Sequence, residues 1–401
     1  MLRILYPRDY RRYEGSRFAV ELVQFAEWLR DLGYSRHCMR GHLFRLKKGL
    51  EGSKRFEPGG TFCDEDLRDA FTFRSPCVEL YRGTQRAFSR FLRPMGRLTR
   101  ASPLNASEIL CQRYRQYLSE VRGFSRSTAQ QHGSTLQDFL SRGLPESAEL
   151  TNVTAADVEN YVQLRSKEVT RHTLQHIVAH LRAFLRYCAS QGKTRRGLDC
   201  IDTPRTYRGE LPPRALDWNL IRTLLASVDR QSLNGRRDYT ILHLMANYGL
   251  RPSEIASLRL DSIDWNAQTI QVDQCKTQSV LVLPLANQTT RMLRRYVLGR
   301  PSCDQPELFL RARSPIRALT HYAVVDVFAK RAQQSGLPLQ GVSSYALRHS
   351  FAMRLLHRGV GVKTIGDLLG HHSLESTCVY LRLDTDMLRA VALPVPAVAT
   401  L

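Results

Sequence analysis

The sequence predicts a mainly helical chain with one small antiparallel sheet in its C-terminal half, an α+β fold. Apolar residues recur at spacings of three and four in residues 18–29 and 171–190, which is the repeat of one helix face. In residues 270–272 and 280–282, Ile or Val stands at every second position on either side of the turn 273–278, which predicts a β-hairpin. Of the 401 residues, 43% are hydrophobic, enough to fill ordinary buried cores.

The chain divides by pattern into three segments and a linker. Residues 1–100 are basic and mostly helical, residues 106–200 are helical, and residues 214–395 mix helices with the hairpin. Residues 201–213 form the linker, because the stretch that follows Gly192 is basic and contains proline. We therefore expect an additional N-terminal domain, a central helical domain and a mixed C-terminal domain.

Helix boundaries in the first two segments follow from turn and capping residues. After Gly123, Ser127 is expected to cap a helix that continues through Leu140. Further helices are expected within 17–50, where two fit, and at 155–166 and 171–190.

The third segment carries its own start and stop signals. Helices are expected at 237–248, ending at Gly249, and from Pro252 to Leu258, and one capped by Ser343 or Ser344 runs to Arg358. A short helix should end at Gly370, and a last one should start near Ser373 and carry Tyr380.

The charge indicates a polyanionic partner. Fifty-nine basic residues face 37 acidic ones, a net charge of +22, and residues 1–100 alone hold 21 basic against 12 acidic residues. A nucleic acid would relieve the self-repulsion of such a chain. A solvated basic face, a membrane surface and a ribosomal role are alternative interpretations of charge alone.

The nine cysteines give no sign of a disulfide framework or a zinc ribbon. Their number is odd, their positions are irregular, and no Cys-x-x-Cys pair occurs. Residues 1–12 lack the apolar core of a signal peptide, and no stretch is long and apolar enough to span a membrane. We expect a cytoplasmic protein, bacterial in view of the family resemblance below, with no membrane partner.

Four side chains of the third segment are suited to chemistry at a phosphodiester. A nucleophile must attack phosphorus, the charge on the nonbridging oxygens must be neutralised, and an acid must protonate the leaving oxygen. Arginine matches phosphate oxygens with its fork of donors and keeps its charge. The side chains are Arg251 in Gly-Leu-Arg-Pro-Ser-Glu, Arg348 in Tyr-Ala-Leu-Arg-His-Ser-Phe-Ala, His371 after Leu-Leu-Gly, and Tyr380.

These four side chains lie in three motifs, the third of which holds both His371 and Tyr380. In order and spacing, the motifs resemble those of the tyrosine recombinase or phage integrase family. The resemblance covers about residues 106–395 and implies a helical, SAM-like core-binding domain at 106–200 and a catalytic domain at 214–395 that close on DNA as a C-shaped clamp. It implies a site-specific recombinase or integrase of double-stranded DNA. It also implies a synaptic homotetramer, or a tetramer mixed with related recombinases, and the additional N-terminal segment favours the integration, excision or transposition of a mobile element.

The family resemblance also assigns roles. Arg251 and Arg348 would hold the scissile phosphate, and Lys276, in the hairpin turn, resembles the lysine that protonates the leaving 5′-oxygen. His371 would hydrogen-bond a nonbridging oxygen or assist proton transfer, and Tyr380 would form a 3′-phosphotyrosyl bond with DNA. Because that bond preserves the energy of the broken phosphodiester, neither ATP, a metal ion nor another cofactor is expected.

One position departs from the family pattern. The family usually has histidine three residues before the second arginine, and Tyr345 stands there. A phenol donates a hydrogen bond to a phosphate oxygen but cannot act as an imidazole base near neutral pH. We expect activity to be retained, with the role of Tyr345 open.

Ordinary structural roles compete with these assignments. Lys276 could be a solvated turn lysine, His349 is expected to be a structural core histidine, and Glu254 is expected to make a buried ionic or capping contact. His371 and His372 could be metal ligands, but adjacent residues seldom converge on one ion. Two whole-protein alternatives remain: a topoisomerase of type IB and a DNA-binding protein that keeps the fold without catalysis.

Two stretches of the chain resemble each other. Residues 25–36 and 114–126 share an aromatic pair and a leucine, followed by Gly-Tyr-Ser-Arg in one and Gly-Phe-Ser-Arg in the other, with one residue of slippage. Chance explains so short a match as well as an internal repeat does. A true repeat would make the N-terminal segment a second DNA-gripping unit. The apolar residues after Tyr380, in 387–393, could dock onto a neighbouring protomer.

Overall fold

The computed structural model describes residues 1–72, 78–99, 106–144, 150–206, 214–274, 279–371, 373 and 375–381. The chain forms two compact units, one of residues 1–60, 70–94 and 211–401 and one of residues 61–69 and 95–210. The domain boundaries expected from the sequence remain predictions. Lys276, His372, residues 387–393 and most of the 201–213 linker lie outside the described residues.

The N-terminal segment is mostly helical, and the two helices expected within residues 17–50 are present. They are α1 Leu2–Leu5, α2 Tyr10–Glu14, α3 Ala19–Asp31, α4 Arg36–Glu51, α5 Asp64–Ala70 and α6 Val78–Leu92. Two strands, β1 Phe62–Cys63 and β2 Leu98–Thr99, pair in parallel. The sequence did not predict that pairing, since two-residue strands carry no periodicity.

The described part of the central segment is mainly helical. Its helices are α7 Ala106–Glu120, α8 Arg126–Arg142, α9 Ala155–Ser166 and α10 Arg171–Ser190. The predicted cap at Ser127 is wrong: Ser125 caps α8, and its Oγ accepts from the backbone N–H of Thr128 at 3.2 Å. Gly123 has a left-handed backbone conformation, and the chain turns there. Helix α8 therefore begins at Arg126, and Ser127 lies inside its first turn.

The C-terminal segment builds a helical body around one three-stranded sheet. Its helices are α11 Trp218–Ala226, α12 Leu233–Tyr248, α13 Pro252–Ser257, α14 Asn287–Leu298, α15 His321–Ser335, α16 Tyr345–Leu356, α17 Val362–Leu369 and α18 Glu375–Cys378. The sheet is antiparallel in the order β3 Ile263–Asp264, β4 Thr269–Gln274 and β5 Ser279–Pro284. Ile270 pairs with Leu283 and Gln274 with Ser279, so the predicted hairpin is confirmed.

An apolar core joins helices of this segment to its sheet. Ile241 and Leu244 of α12, Ile255 of α13 and Ile270 and Val272 of β4 are among its fully buried members. Burial of each such side chain contributes about 1.5–3 kcal/mol. The core thereby fixes the end of α12, the start of α13 and the base of the hairpin relative to one another.

Tyr380 does not lie in a helix, contrary to the sequence prediction. Helix α18 ends at Cys378, and Tyr380 occupies the turn beyond it, where its backbone N–H donates to the Thr377 carbonyl at 3.0 Å. The β-branched residues Thr377 and Val379 are weak helix formers, which favours an early end.

Membrane-spanning helices are not found in the described parts of the chain, since none there is both long and apolar enough.

Candidate active site

Arg251 lies in the tight connection between α12 and α13. Gly249 ends α12 in the left-handed conformation, and an added Cβ would lie 2.6 Å from the ring of Phe351, so only glycine fits. Arg251 then caps α13: its backbone N–H donates to Glu254 Oε2 at 2.7 Å and its Nη1 to Glu254 Oε1 at 2.5 Å. Glu254 is buried and makes the capping and ionic contact that the sequence predicted.

Arg348 is held almost entirely inside the protein. It is 5% exposed; its Nη1 donates to the Gly249 carbonyl at 2.6 Å and its Nη2 to the Leu369 carbonyl. Burial, and then the charge of Arg251, lower its pKa to about 10. The guanidinium therefore stays protonated at neutral pH while its orientation is fixed by the ends of two helices.

His371 is oriented by contacts on both ring nitrogens. The Nη2 of Arg348 lies 3.4 Å from Nε2, and Thr377 Oγ1 lies 2.8 Å from Nδ1. Because arginine can only donate, Nε2 accepts and Nδ1 carries the proton that the Thr377 hydroxyl accepts. Gly370, left-handed at the end of α17, turns the chain so that His371 meets Arg348.

Tyr380 is buried at the edge of a small apolar cluster. It is 3% exposed and packs with Met353 and Leu369, and its hydroxyl lies 3.1 Å from Nδ1 of His349. Burial raises the pKa of the phenol, and the positive charges of Arg348 and Arg251 oppose that rise. The tyrosine is thus within electrostatic reach of both arginines.

His349 is the site residue that the sequence reasoning missed. A structural core role was expected, but the ring is only partly buried and faces the Tyr380 hydroxyl. Burial and the charge of Arg348 lower its pKa, so the ring is neutral at neutral pH. Its place directly after Arg348 was the available signal, but neighbours on a helix point about 100° apart, and the turn that brings Tyr380 to it was not foreseen.

Tyr345 opens α16, one helical turn before Arg348. Its side chain is 47% exposed, so the phenol is accessible from solvent. The spacing of three places both side chains on one helix face, as the sequence predicted.

The hairpin that contains Lys276 begins beside this cluster. Gln274, the last described residue of β4, packs its side-chain amide against Gly370, where any Cβ would overlap it. Gly370 directly precedes His371, so Gln274, the last described residue of β4, lies next to the site.

A set of side chains that could bind a metal ion is not found among the described residues. Within the described ranges, no group of three His, Cys, Asp or Glu side chains is arranged to hold an ion.

The described cluster suits an anion with several oxygens. Two guanidinium groups and one imidazole converge, and a buried phenol lies beside them, within the field of both positive charges. Such a site can bind a phosphate diester, stabilise added negative charge and present an oxygen nucleophile.

Comparisons with known proteins agree with this chemistry. Residues 214–387 match the phage integrase family, and residues 111–192 match the phage integrase N-terminal SAM-like domain. The integrase/recombinase y4gC of Sinorhizobium fredii is 40% identical over 187 residues, which cover 46% of this chain and 96% of that protein. The integrase/recombinase y4rA of the same organism is 28% identical over 392 residues, 95% of each chain. Further relatives are named tyrosine recombinases.

The fold has counterparts among solved structures. The Tn1549 transposon integrase in complex with transposon right end DNA aligns with a TM-score of 0.55 and 17% identity, over 71% of this chain and 99% of that one. Fold, site and sequence define an enzyme that works on phosphodiesters. The chain belongs to the phage integrase family of tyrosine recombinases, which cleave and rejoin DNA strands at specific sites.

Proposed function

We propose that this protein recombines DNA through a covalent 3′-phosphotyrosyl link to Tyr380. The observation that supports this most is the convergence of Arg251, Arg348 and His371 next to a tyrosine within the field of both arginines. In this proposal the phenol oxygen attacks phosphorus, the bond to the 5′-oxygen breaks, and the leaving strand departs with a proton.

The two arginines would stabilise the charge that builds on the nonbridging oxygens. Their guanidinium groups are preoriented by Glu254 and by the Gly249 and Leu369 carbonyls, so little reorganisation is needed when the phosphate arrives. Loss of one such donor costs enzymes about 10²–10³-fold in rate.

The remaining roles follow the family resemblance. Lys276 would protonate the 5′-oxygen, and Gln274, two residues before it in the chain, lies beside Gly370. His371, with Nδ1 held on Thr377, would take a proton on Nε2 when DNA binds and donate it in a hydrogen bond to a nonbridging oxygen. Tyr345, exposed on the Arg348 face, would donate a hydrogen bond to the phosphate in place of the usual histidine.

Tyr380 would need to change partners before it reacts. At 3% exposure its hydroxyl faces His349, so attack requires the turn after α18 to swing the phenol toward the phosphate. Because the phosphotyrosyl bond conserves the energy of the phosphodiester, rejoining would need no ATP, and no metal enters the steps.

We further propose that double-stranded DNA is bound by four protomers, identical or mixed with related recombinases, in the synaptic complex. The resemblance to a transposon integrase and to integrases of Sinorhizobium fredii supports a role in moving a genetic element within a bacterial cytoplasm.

A strand-transfer assay tests recombination against simple relaxation. Two labelled duplexes that each carry the DNA flanking the protein's gene should yield products joined across duplexes. If supercoiled DNA is relaxed but no cross-joined product forms, the protein acts like a type IB topoisomerase and the proposal fails.

A further inference from the structure

The N-terminal helices α3, α4 and α6 form a bundle in the same chain order as α7, α8 and α10. In each bundle a helix hairpin is followed, after residues 52–77 or 143–170, by a third helix that packs on it. The described part of each intervening stretch contains one further α-helix, α5 or α9. The comparison thus concerns whole bundles and not only the short sequence match at their hairpins.

The two hairpin loops have the same backbone geometry. Gly33 and Gly123 are both left-handed, with φ of 73° and 64°. Two residues later, Ser35 and Ser125 cap the next helix in extended conformation, and each hydroxyl accepts from the backbone N–H three residues on, at 3.3 and 3.2 Å.

A histidine occupies the same place in each bundle. His42 and His132 both lie six residues after the first residue of the second helix. Each contacts the aromatic residue of its own loop: Tyr34 lies 5.5 Å from His42, and Phe124 lies 5.7 Å from His132, between ring centroids.

The aromatic cores match pair by pair. Phe25 meets Phe88 edge to face at 5.4 Å, and Tyr114 meets Phe184 edge to face at 5.3 Å. Three more pairs correspond: Phe25–Trp28 with Tyr114–Tyr117, Phe25–Phe91 with Tyr114–Tyr187, and Trp28–Phe91 with Tyr117–Tyr187. A chance match of one short motif would not reproduce contacts across three helices.

The outer faces of the N-terminal bundle are strongly basic. The exposed charged residues of α4 and α6 comprise six basic side chains and two acidic ones. The basic ones are Arg36, Arg40, Lys48, Arg82, Arg86 and Arg90, and the acidic ones are Glu51 and Glu79. Such a surface complements the phosphate backbone of a duplex.

We propose that the N-terminal bundle is a duplicate of the core-binding bundle and that it binds the phosphate backbone of duplex DNA through α4 and α6. This inference rests on the proposed function, since it assumes that the second bundle grips DNA. Full recognition of a recombination site would then involve two related helical modules in one chain.

The test compares two double variants of the full chain that change charge equally. Arg86→Gln/Arg90→Gln removes two exposed charges from α6, and Arg11→Gln/Arg12→Gln removes two exposed charges from α2, outside the duplicated helices. Glutamine keeps much of the aliphatic stem, and thermal unfolding checks that both variants fold. Affinity for a fluorescein-labelled 40-base-pair duplex is measured by anisotropy over a series of salt concentrations.

The α6 variant should flatten the slope of log affinity against log salt by about 1.8, since each phosphate contact contributes about 0.9. Its affinity at low salt should fall about tenfold or more, while the α2 variant keeps the wild-type slope. An unchanged slope for the α6 variant, or equal changes for both, would overturn the inference. Wild-type protein that fails to bind the duplex would instead count against the proposed function.

Discussion

The Nδ1 of His349 lies 3.1 Å from the hydroxyl of Tyr380. The histidine thus holds the phenol, and its lowered pKa keeps it able to accept the phenolic hydrogen at neutral pH. We infer that His349 positions Tyr380.

His349→Phe should speed formation of the covalent adduct by up to about tenfold, because the phenol then has no hydrogen bond to break before it turns to the phosphate, and one such bond contributes about 0.5–1.5 kcal/mol. His349→Asn should return the rate toward that of wild type, because its side-chain amide can take the place of Nδ1. His357→Phe, at the exposed end of the same helix, is the matched control. Single-turnover cleavage measures all three, and equal rates for His349→Phe and wild type would show that the contact is incidental.

Tyr345 should contribute one hydrogen bond and no proton transfer. Tyr345→Phe is expected to slow cleavage by about 10–100-fold, comparable to the loss of an oxyanion donor or somewhat less. Tyr345→His should recover much of the rate, since imidazole also donates. Complete loss in the Phe variant without rescue by His would mean that this position works differently from the rest of the family.

Glu254 should stabilise the arginine pair. It is buried, with Oε1 2.5 Å from Arg251 Nη1 and Oε2 3.9 Å from Arg348 Nη1. Glu254→Gln should lower the free energy of unfolding by about 1–3 kcal/mol, because two arginines lose their counter-charge. Ser253→Ala, one residue away and exposed, should change it little. Urea unfolding measures the free energy of unfolding of both variants. Equal values would show that Glu254 does not stabilise the arginine pair.

His243 should make the protein sensitive to mild acid. It is 7% exposed, and burial lowers its pKa to about 4. The unfolded chain binds a proton near pH 6.5 and the folded chain does not, so stability falls as pH drops from 6.5 toward 4. This histidine alone should cost about 2 kcal/mol between pH 7 and pH 5. His243→Gln should show a smaller loss of urea stability over that interval, and an undiminished loss would contradict the assignment.

Residue types alone predicted the helix ends around the site, because those ends depend on backbone conformation. Gly249 and Gly370 end helices in the left-handed conformation, and Pro252 opens α13, each readable from residue type. The position of Tyr380 beyond α18 and its contact with His349 depend on tertiary packing, which periodicity does not encode. The cap at Ser125 was missed because Ser125, Ser127 and Thr128 are all residue types that can cap a helix.

Covalent trapping on nicked duplexes tests the central claim most directly. A pool of nicked duplexes covering the DNA that flanks the gene is incubated with wild type and Tyr380→Phe, and adducts are counted on denaturing gels and mapped by mass spectrometry. Tyr380→Phe removes one oxygen and little volume, so it should bind DNA like wild type and form no adduct, while the wild-type adduct maps to Tyr380. An adduct of wild-type yield in Tyr380→Phe, or one mapped to another residue, would contradict the account.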